Sequence, residues 1–192
     1  MYCLLCGREL EHSVTWLYFT ERFPTTICER CEKKFERWEQ QTDDHIALYK
    51  YNDAMKDYLH RYKFMKDVVL STVFCKELHN CMRQYNGIIV PIPLHEEKLK
   101  ERTFAQVDEL LKAARIPYEH LLEKLSTESQ SSKNRAERLA TAQLFQATGR
   151  VQAQDYIVFD DIYTTGTTVV HAKRALLEAG ARTVKSVSLI RG

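Results

Sequence analysis

The sequence predicts an α/β protein built on a mostly parallel sheet, with a small cysteine-bearing module at its N-terminus. Three observations predict it. Near the C-terminus, the apolar run 156–159 leads through a polar loop into a helical pattern and then into the alternating run 183–190. Strand, helix and strand in that order form the unit from which parallel sheets are assembled. Upstream, Gly87 opens Ile88-Ile89-Val90-Pro91-Ile92-Pro93, a buried strand stopped by prolines that cannot donate to a central ladder. Within the first 45 residues, Cys3 and Cys6 form one Cys-x-x-Cys pair, and Cys28 and Cys31 form another.

The chain has 192 residues, enough for one α/β domain over 46–192 with an appendage over 1–45. No run of eighteen apolar residues occurs, so no membrane span is expected. The opening Met-Tyr-Cys-Leu-Leu-Cys lacks the basic and apolar regions of a secretory signal, and a cytoplasmic protein is expected. The net charge of +2 excludes little, but residues 1–45 balance to −3, which leaves +5 on the rest. Between Tyr49 and Lys66, five basic residues interleave with tyrosines, as in single-strand nucleic-acid binders. The plainer reading packs Tyr58 and Tyr62 against the sheet and leaves the lysines solvated.

Cysteine pairs in a cytoplasmic protein point to metal rather than to disulfides. The spacing of Cys3, Cys6, Cys28 and Cys31 is that of a structural Zn²⁺ site, two knuckles converging on one tetrahedral ion. Gly7 supplies the turn after the first knuckle. The alternative, a redox pair, needs a βαβ context that this segment lacks. Cys75 and Cys81 lie six apart, which is not a ligand spacing, and read as core thiols.

Between the cysteine pairs, 14–20 is rich in β-formers and reads as one arm of a hairpin; 32–41 is charged and helix-compatible. Residues 46–51 form a short strand. Asn52 or Asp53 then caps a helix to about Met65, with Met55, Leu59 and Tyr62 on one face. A second helix over 68–83 uses Val69, Val73, Leu78 and Met82. A long helix is expected over 96–114, and the polar run 126–138 reads as a mobile loop. After the strand 156–159, a helix over 169–179 carries Ala172, Ala175, Leu176 and Ala179 on one stripe, with Gly180 as its C-terminal cap.

The densest chemistry lies at the loop before that last helix. Asp160 and Asp161 stand at the carboxyl end of a buried parallel strand, where open α/β sheets bind ligands. Adjacent carboxylates favour a partner rich in donors, such as ribose hydroxyls, or a cation such as Mg²⁺. Thr164, Thr165, Gly166, Thr167 and Thr168 follow, opening a helix whose first N–H groups form an anion nest. The spacing suits a sugar gripped by carboxylates with its 5′-phosphate in the nest. Alternatively, Asp161 caps a helix and the threonines merely fill a βα loop. No Gly-Lys-Ser/Thr follows, so this is not a Walker loop.

The run from Phe159 to Thr168 resembles the phosphoribosyl pyrophosphate motif of type I phosphoribosyltransferases, and nearly the whole chain resembles the ComF family of late competence proteins. That family's "VPVPL" is similar to Val90-Pro91-Ile92-Pro93-Leu94, its "RGFNQ" to Arg102-Thr103-Phe104-Ala105-Gln106, and its "VDDVYTTGAT" to the phosphate loop; Thr103, Ala105 and Thr141 depart from its pattern. The resemblance implies a type I phosphoribosyltransferase fold. Asp160 and Asp161 would hold the ribose hydroxyls of phosphoribosyl pyrophosphate, directly or with Mg²⁺, and Thr164 to Thr168 its 5′-phosphate. Pro93 would approach the pyrophosphate, with Arg102 and Lys98 neutralising it. Arg135 and Arg138 would face it from a closing lid. The resemblance also implies natural transformation, with single-stranded DNA and a DNA-uptake ATPase or helicase as partners. The expected activity is phosphoribosyl transfer to an unidentified acceptor. Against it stand a non-catalytic competence factor and, more weakly, a purine-salvage enzyme, for which a zinc module has no evident use.

Overall fold

The computed structural model describes residues 1–10, 22–125 and 143–192. In chain order these carry α1 (Glu29–Glu32), β1 (His45–Lys50), α2 (Asp53–Lys63), a 3-10 turn (Val68–Thr72), α3 (Cys75–Met82), β2 (Ile88–Pro91), α4 (Glu96–Arg102) and α5 (Gln106–Ala113). They continue with β3 (Leu122–Lys124), β4 (Phe145–Ala147), β5 (Asp155–Tyr163), α6 (Thr167–Glu178) and β6 (Thr183–Arg191). The proposed hairpin arm 14–20 and the polar loop with Arg135, Arg138 and Thr141 lie outside the described residues.

One sheet has the order β1-β6-β5-β2, and all three of its pairings are parallel. The expected α/β class holds. Separately, β3 and β4 form a small antiparallel pair. Alternation along β5 sends successive side chains to opposite faces of the sheet. Ile157 and Phe159 enter a core shared with α2, α3 and α5, whereas Tyr156 and Val158 enter a second core with α6 and the β3-β4 pair. Cys3, Leu10, Ile27, Cys31 and Phe35 from the N-terminal segment join the first core.

The sequence signals explain most elements. Asn52 caps α2 by accepting the N–H of Met55 at 3.0 Å, and Met55, Tyr58, Leu59 and Tyr62 form its buried face. α6 starts at Thr167, two residues earlier than expected. It ends in a Schellman motif, with Ala181 N–H bonded to Leu176 O and Gly180 N–H to Leu177 O.

Three expected helices are shorter or broken. The span 68–83 is a 3-10 turn followed by α3, and Val69 is exposed. The β-branched run Val68, Val69, Thr72 and Val73 favours helix poorly. The span 96–114 divides into α4 and α5 at Thr103, which takes a left-handed φ of 69°. Beyond α1, residues 33–41 are not helical. Lys50 N–H instead bonds Glu36 O at 2.9 Å, and Trp38 N–H bonds Leu48 O at 3.0 Å, so this stretch laces along β1.

Candidate functional site

The carboxyl end of β5 brings the two aspartates to the edge of the sheet and parts them. Asp161 continues the alternation of Ile157 and Phe159 and turns toward α2. It is buried, and its Oδ2 lies 2.6 Å from Nζ of Lys63 at the end of α2. Asp160 follows Tyr156 and Val158 to the other face, where its Oδ1 accepts the N–H of Asp161 at 2.9 Å. Burial, then the neighbouring Asp161 carboxylate, push Asp160 up to about 7.

The same face carries Lys124 on β3, 5.8 Å above the ring of Phe145. Burial, reinforced by the charge of Lys98, lowers Lys124, and Asp160 opposes this. Sequence reading overlooked Lys124, because a lysine in a three-residue strand carries no signal until β3 folds over the sheet. It also expected the lysines near Tyr58 and Tyr62 to be solvated. Lys63 is instead largely buried, while Tyr58 and Tyr62 lie in the core, donating to Leu70 O at 3.2 Å and Gln106 O at 2.7 Å. These rings are not a surface for stacking bases.

The loop after β5 follows from its residues. Gly166 takes φ 79° as the N-cap of α6, with the Tyr163 hydroxyl packed against it. The Tyr163 ring is itself held by the Arg191 guanidinium, 4.0 Å from its centroid, and by His45 at 3.9 Å. His45 is bonded to Ser186 and Ser188, and burial pulls it down to about 4. Thr164, Thr165 and Thr167 are exposed and Thr168 half-buried, with the Thr165 and Thr167 hydroxyls 3.0 Å apart. A hydroxyl-lined loop therefore fronts the first turn of α6, where helical N–H groups lack intrahelical partners.

On the neighbouring strand, β2 ends at Pro91 and Ile92 N–H still reaches Phe159 O at 2.9 Å. Pro93 is half-buried just beyond. Arg102 closes α4, where its Nη1 donates to Gln106 Oε1 at 2.7 Å and its guanidinium lies 5.9 Å from the Phe64 ring centroid.

The four N-terminal cysteines converge. Their Sγ atoms all lie within 4.8 Å of one another, and Cys6 and Cys28 are 3.7 Å apart. They are positioned to bind a metal ion. Gly7, at φ 71°, turns the first knuckle, and Cys28 N–H points at Cys3 Sγ at 3.3 Å. Burial pushes the Cys3 thiol up, but N–H groups of Cys28, Cys6 and Leu5 outweigh it and bring Cys3 down to about 6. Cys75 is buried and Cys81 half-buried, both apart from this cluster. Among the described residues, no helix is long and apolar enough to cross a membrane.

No protein-family model matches the chain. It is 35% identical to Competence protein ComFC of Streptococcus pneumoniae, with 100% of both chains covered. It is 30% identical to Competence protein ComFC of Bacillus subtilis, covering 100% of this chain and 95% of that one. Among solved structures, its neighbours include two phosphoribosyltransferases. An adenine phosphoribosyltransferase from Leishmania donovani has a TM-score of 0.43 at 11% identity, covering 82% of this chain and 86% of that one. A hypoxanthine phosphoribosyltransferase from Staphylococcus aureus has a TM-score of 0.36 at 16% identity, covering 66% and 62%. Likenesses of this degree say nothing of chemistry.

Proposed function

Because the chain belongs to the ComF family of competence proteins, with the ComFC proteins as relatives, we propose that it acts in natural competence as a phosphoribosyltransferase-like protein that binds phosphoribosyl pyrophosphate with Mg²⁺. The observation that carries this reading is the end of β5. There Asp160 and Asp161 stand a few residues before a threonine-lined loop at the N-terminus of α6. The carboxyls suit the ribose hydroxyls, and the Thr164, Thr165, Gly166, Thr167 and Thr168 loop suits the 5′-phosphate. Pro93, Lys98, Arg102 and Lys124 suit the pyrophosphate side. Mg²⁺ would supply positive charge to the leaving pyrophosphate.

The N-terminal residues 1–45 form the Zn²⁺ module. The edge of a tetrahedron of thiolates around zinc is about 3.8 Å for Zn–S bonds near 2.3 Å, and the 3.7 Å between Cys6 and Cys28 fits it. Four thiolates leave no open position, so the ion's part is structural. Uptake of single-stranded DNA, in company with a DNA-uptake ATPase, is the setting in which the family would place this site.

A second reading, a competence factor that binds the ligand without turnover, is favoured by Thr103 and Ala105, which stand where the family pattern has Gly and Asn beside Arg102.

Calorimetric titration of phosphoribosyl pyrophosphate with Mg²⁺ separates these readings when pyrophosphate release is assayed in the same samples. Binding that Asp160→Ala/Asp161→Ala abolishes supports the ligand, and release with an acceptor supports an enzyme. Folded, metal-loaded protein that binds nothing would sink the ligand reading.

A further inference from the structure

Asp161 is 6% exposed, and a carboxylate at that depth requires a partner. The partner is Lys63, Nζ to Oδ2 at 2.6 Å, with side chains 11% and 8% exposed. Lys63 is the last residue of α2, and that helix is tied down along its length. Asn52 caps it; Tyr58 and Tyr62 hydroxyls bond to Leu70 O and Gln106 O. Arg61 donates to Leu4 O at 2.9 Å and Leu5 O at 3.2 Å, within the first cysteine knuckle. The ammonium is thus delivered to Asp161 by a fixed helix rather than by a swinging surface side chain.

We propose that Lys63 is a positioning residue of the ribose-phosphate site, acting on the ligand through Asp161. This rests on the ligand reading above. Two adjacent carboxylates beside a ligand that carries phosphate and pyrophosphate would repel it. Pairing Asp161 with an ammonium leaves the unbalanced charge of the doublet on Asp160 alone. The pair also fixes Asp161 by Oδ2. Its Oδ1 then stays in a set place, as does the Asp161 N–H that donates to Asp160 Oδ1 at 2.9 Å. The arrangement matches how a group outside the ligand's reach holds one within it.

The test is a double-mutant cycle on the full, metal-loaded chain. Affinity for phosphoribosyl pyrophosphate with Mg²⁺ is measured by calorimetry for the unmodified protein, Lys63→Met, Lys63→Arg, Asp161→Asn and Lys63→Met/Asp161→Asn. Each is titrated well below its melting midpoint. Lys63→Met is expected to weaken binding at least about tenfold, and Lys63→Arg to recover part of that. Lys63→Met should change affinity by less than about threefold once Asp161→Asn is present. Unchanged affinity in Lys63→Met overturns the proposal, as does multiplication of the two single losses in the double variant. Should Lys63→Met fail to fold, the double variant carries no uncompensated charge. Its comparison with Asp161→Asn then decides by the same threefold limit. An unmodified protein that binds nothing overturns the ligand reading, and this proposal with it. Binding with multiplicative losses overturns this proposal alone.

Discussion

The hydroxyl of Tyr163 lies against the α-carbon of Gly166, in the space that a β-carbon would need. Gly166 also takes φ 79°, a conformation that costs other residues energy. Gly166→Ala is therefore expected to destabilise the chain by about 2 kcal/mol and to weaken phosphoribosyl pyrophosphate binding. Denaturant unfolding measures the first effect and calorimetry the second. In a Tyr163→Ala background the clash is gone, and the remaining cost should fall to about 1 kcal/mol. An equal cost in both backgrounds would show that Tyr163 does not police the turn.

Thr103 makes the opposite case. It takes φ 69° at the end of α4, a left-handed conformation that a β-branched side chain resists. Thr103→Gly should raise stability by about 1 kcal/mol, read as a higher denaturant midpoint at unchanged slope. A loss of stability would mean that the Thr103 side chain contributes more than its backbone costs.

Asp160 should leave a signature in the pH dependence of stability. Burial and the Asp161 carboxylate raise it from 3.8 to about 7. Between those values the folded chain keeps a proton that the unfolded chain gives up, so stability falls as pH rises through this window. Asp160→Asn removes that loss. The variant should be more stable than the parent at pH 8 by about 2 to 4 kcal/mol, with the gap closing toward pH 4. Thermal melts across this range check it, and a gap independent of pH would contradict the assignment.

Metal removal tests the cysteine cluster. One tetrahedral ion per chain is expected by elemental analysis, and Cys28→Ser or chelation should release it. Because Cys3 and Cys31 sit in the core and Arg61 holds the first knuckle by two carbonyls, the melting midpoint should fall by at least about 10 °C. A midpoint insensitive to chelation would argue that the thiols fold the segment without metal.

The end of the chain was the most legible part. Apolar alternation, a loop of hydroxyls and Gly180 mark β5, α6 and β6 directly, because a parallel βαβ unit writes its periods locally. The partition of labour between Asp160 and Asp161 was not legible. It depends on Lys63, 98 residues earlier, which sits among basic residues and tyrosines and has the look of a solvated face. Only the packing of α2 against one face of the sheet turns it inward. The break at Thr103 was equally hidden, since threonine does not advertise a left-handed turn. The four cysteines, by contrast, announced their cluster by spacing alone, since two short knuckles need little else to converge.

Both outer margins of the sheet are closed to newcomers. Along β1, the stretch around Glu36 and Trp38 takes the hydrogen bonds of Lys50 and Leu48. Along β2, Glu119 N–H occupies Ile89 O at 2.9 Å, and Pro91 has no N–H to offer. A four-stranded parallel sheet with bare margins would be an invitation to pair strand against strand with other chains, and from there to aggregate. Here the invitation is withdrawn at both sides. With both sides taken, the carboxyl end of β5 is where the proposed ligand would meet the sheet.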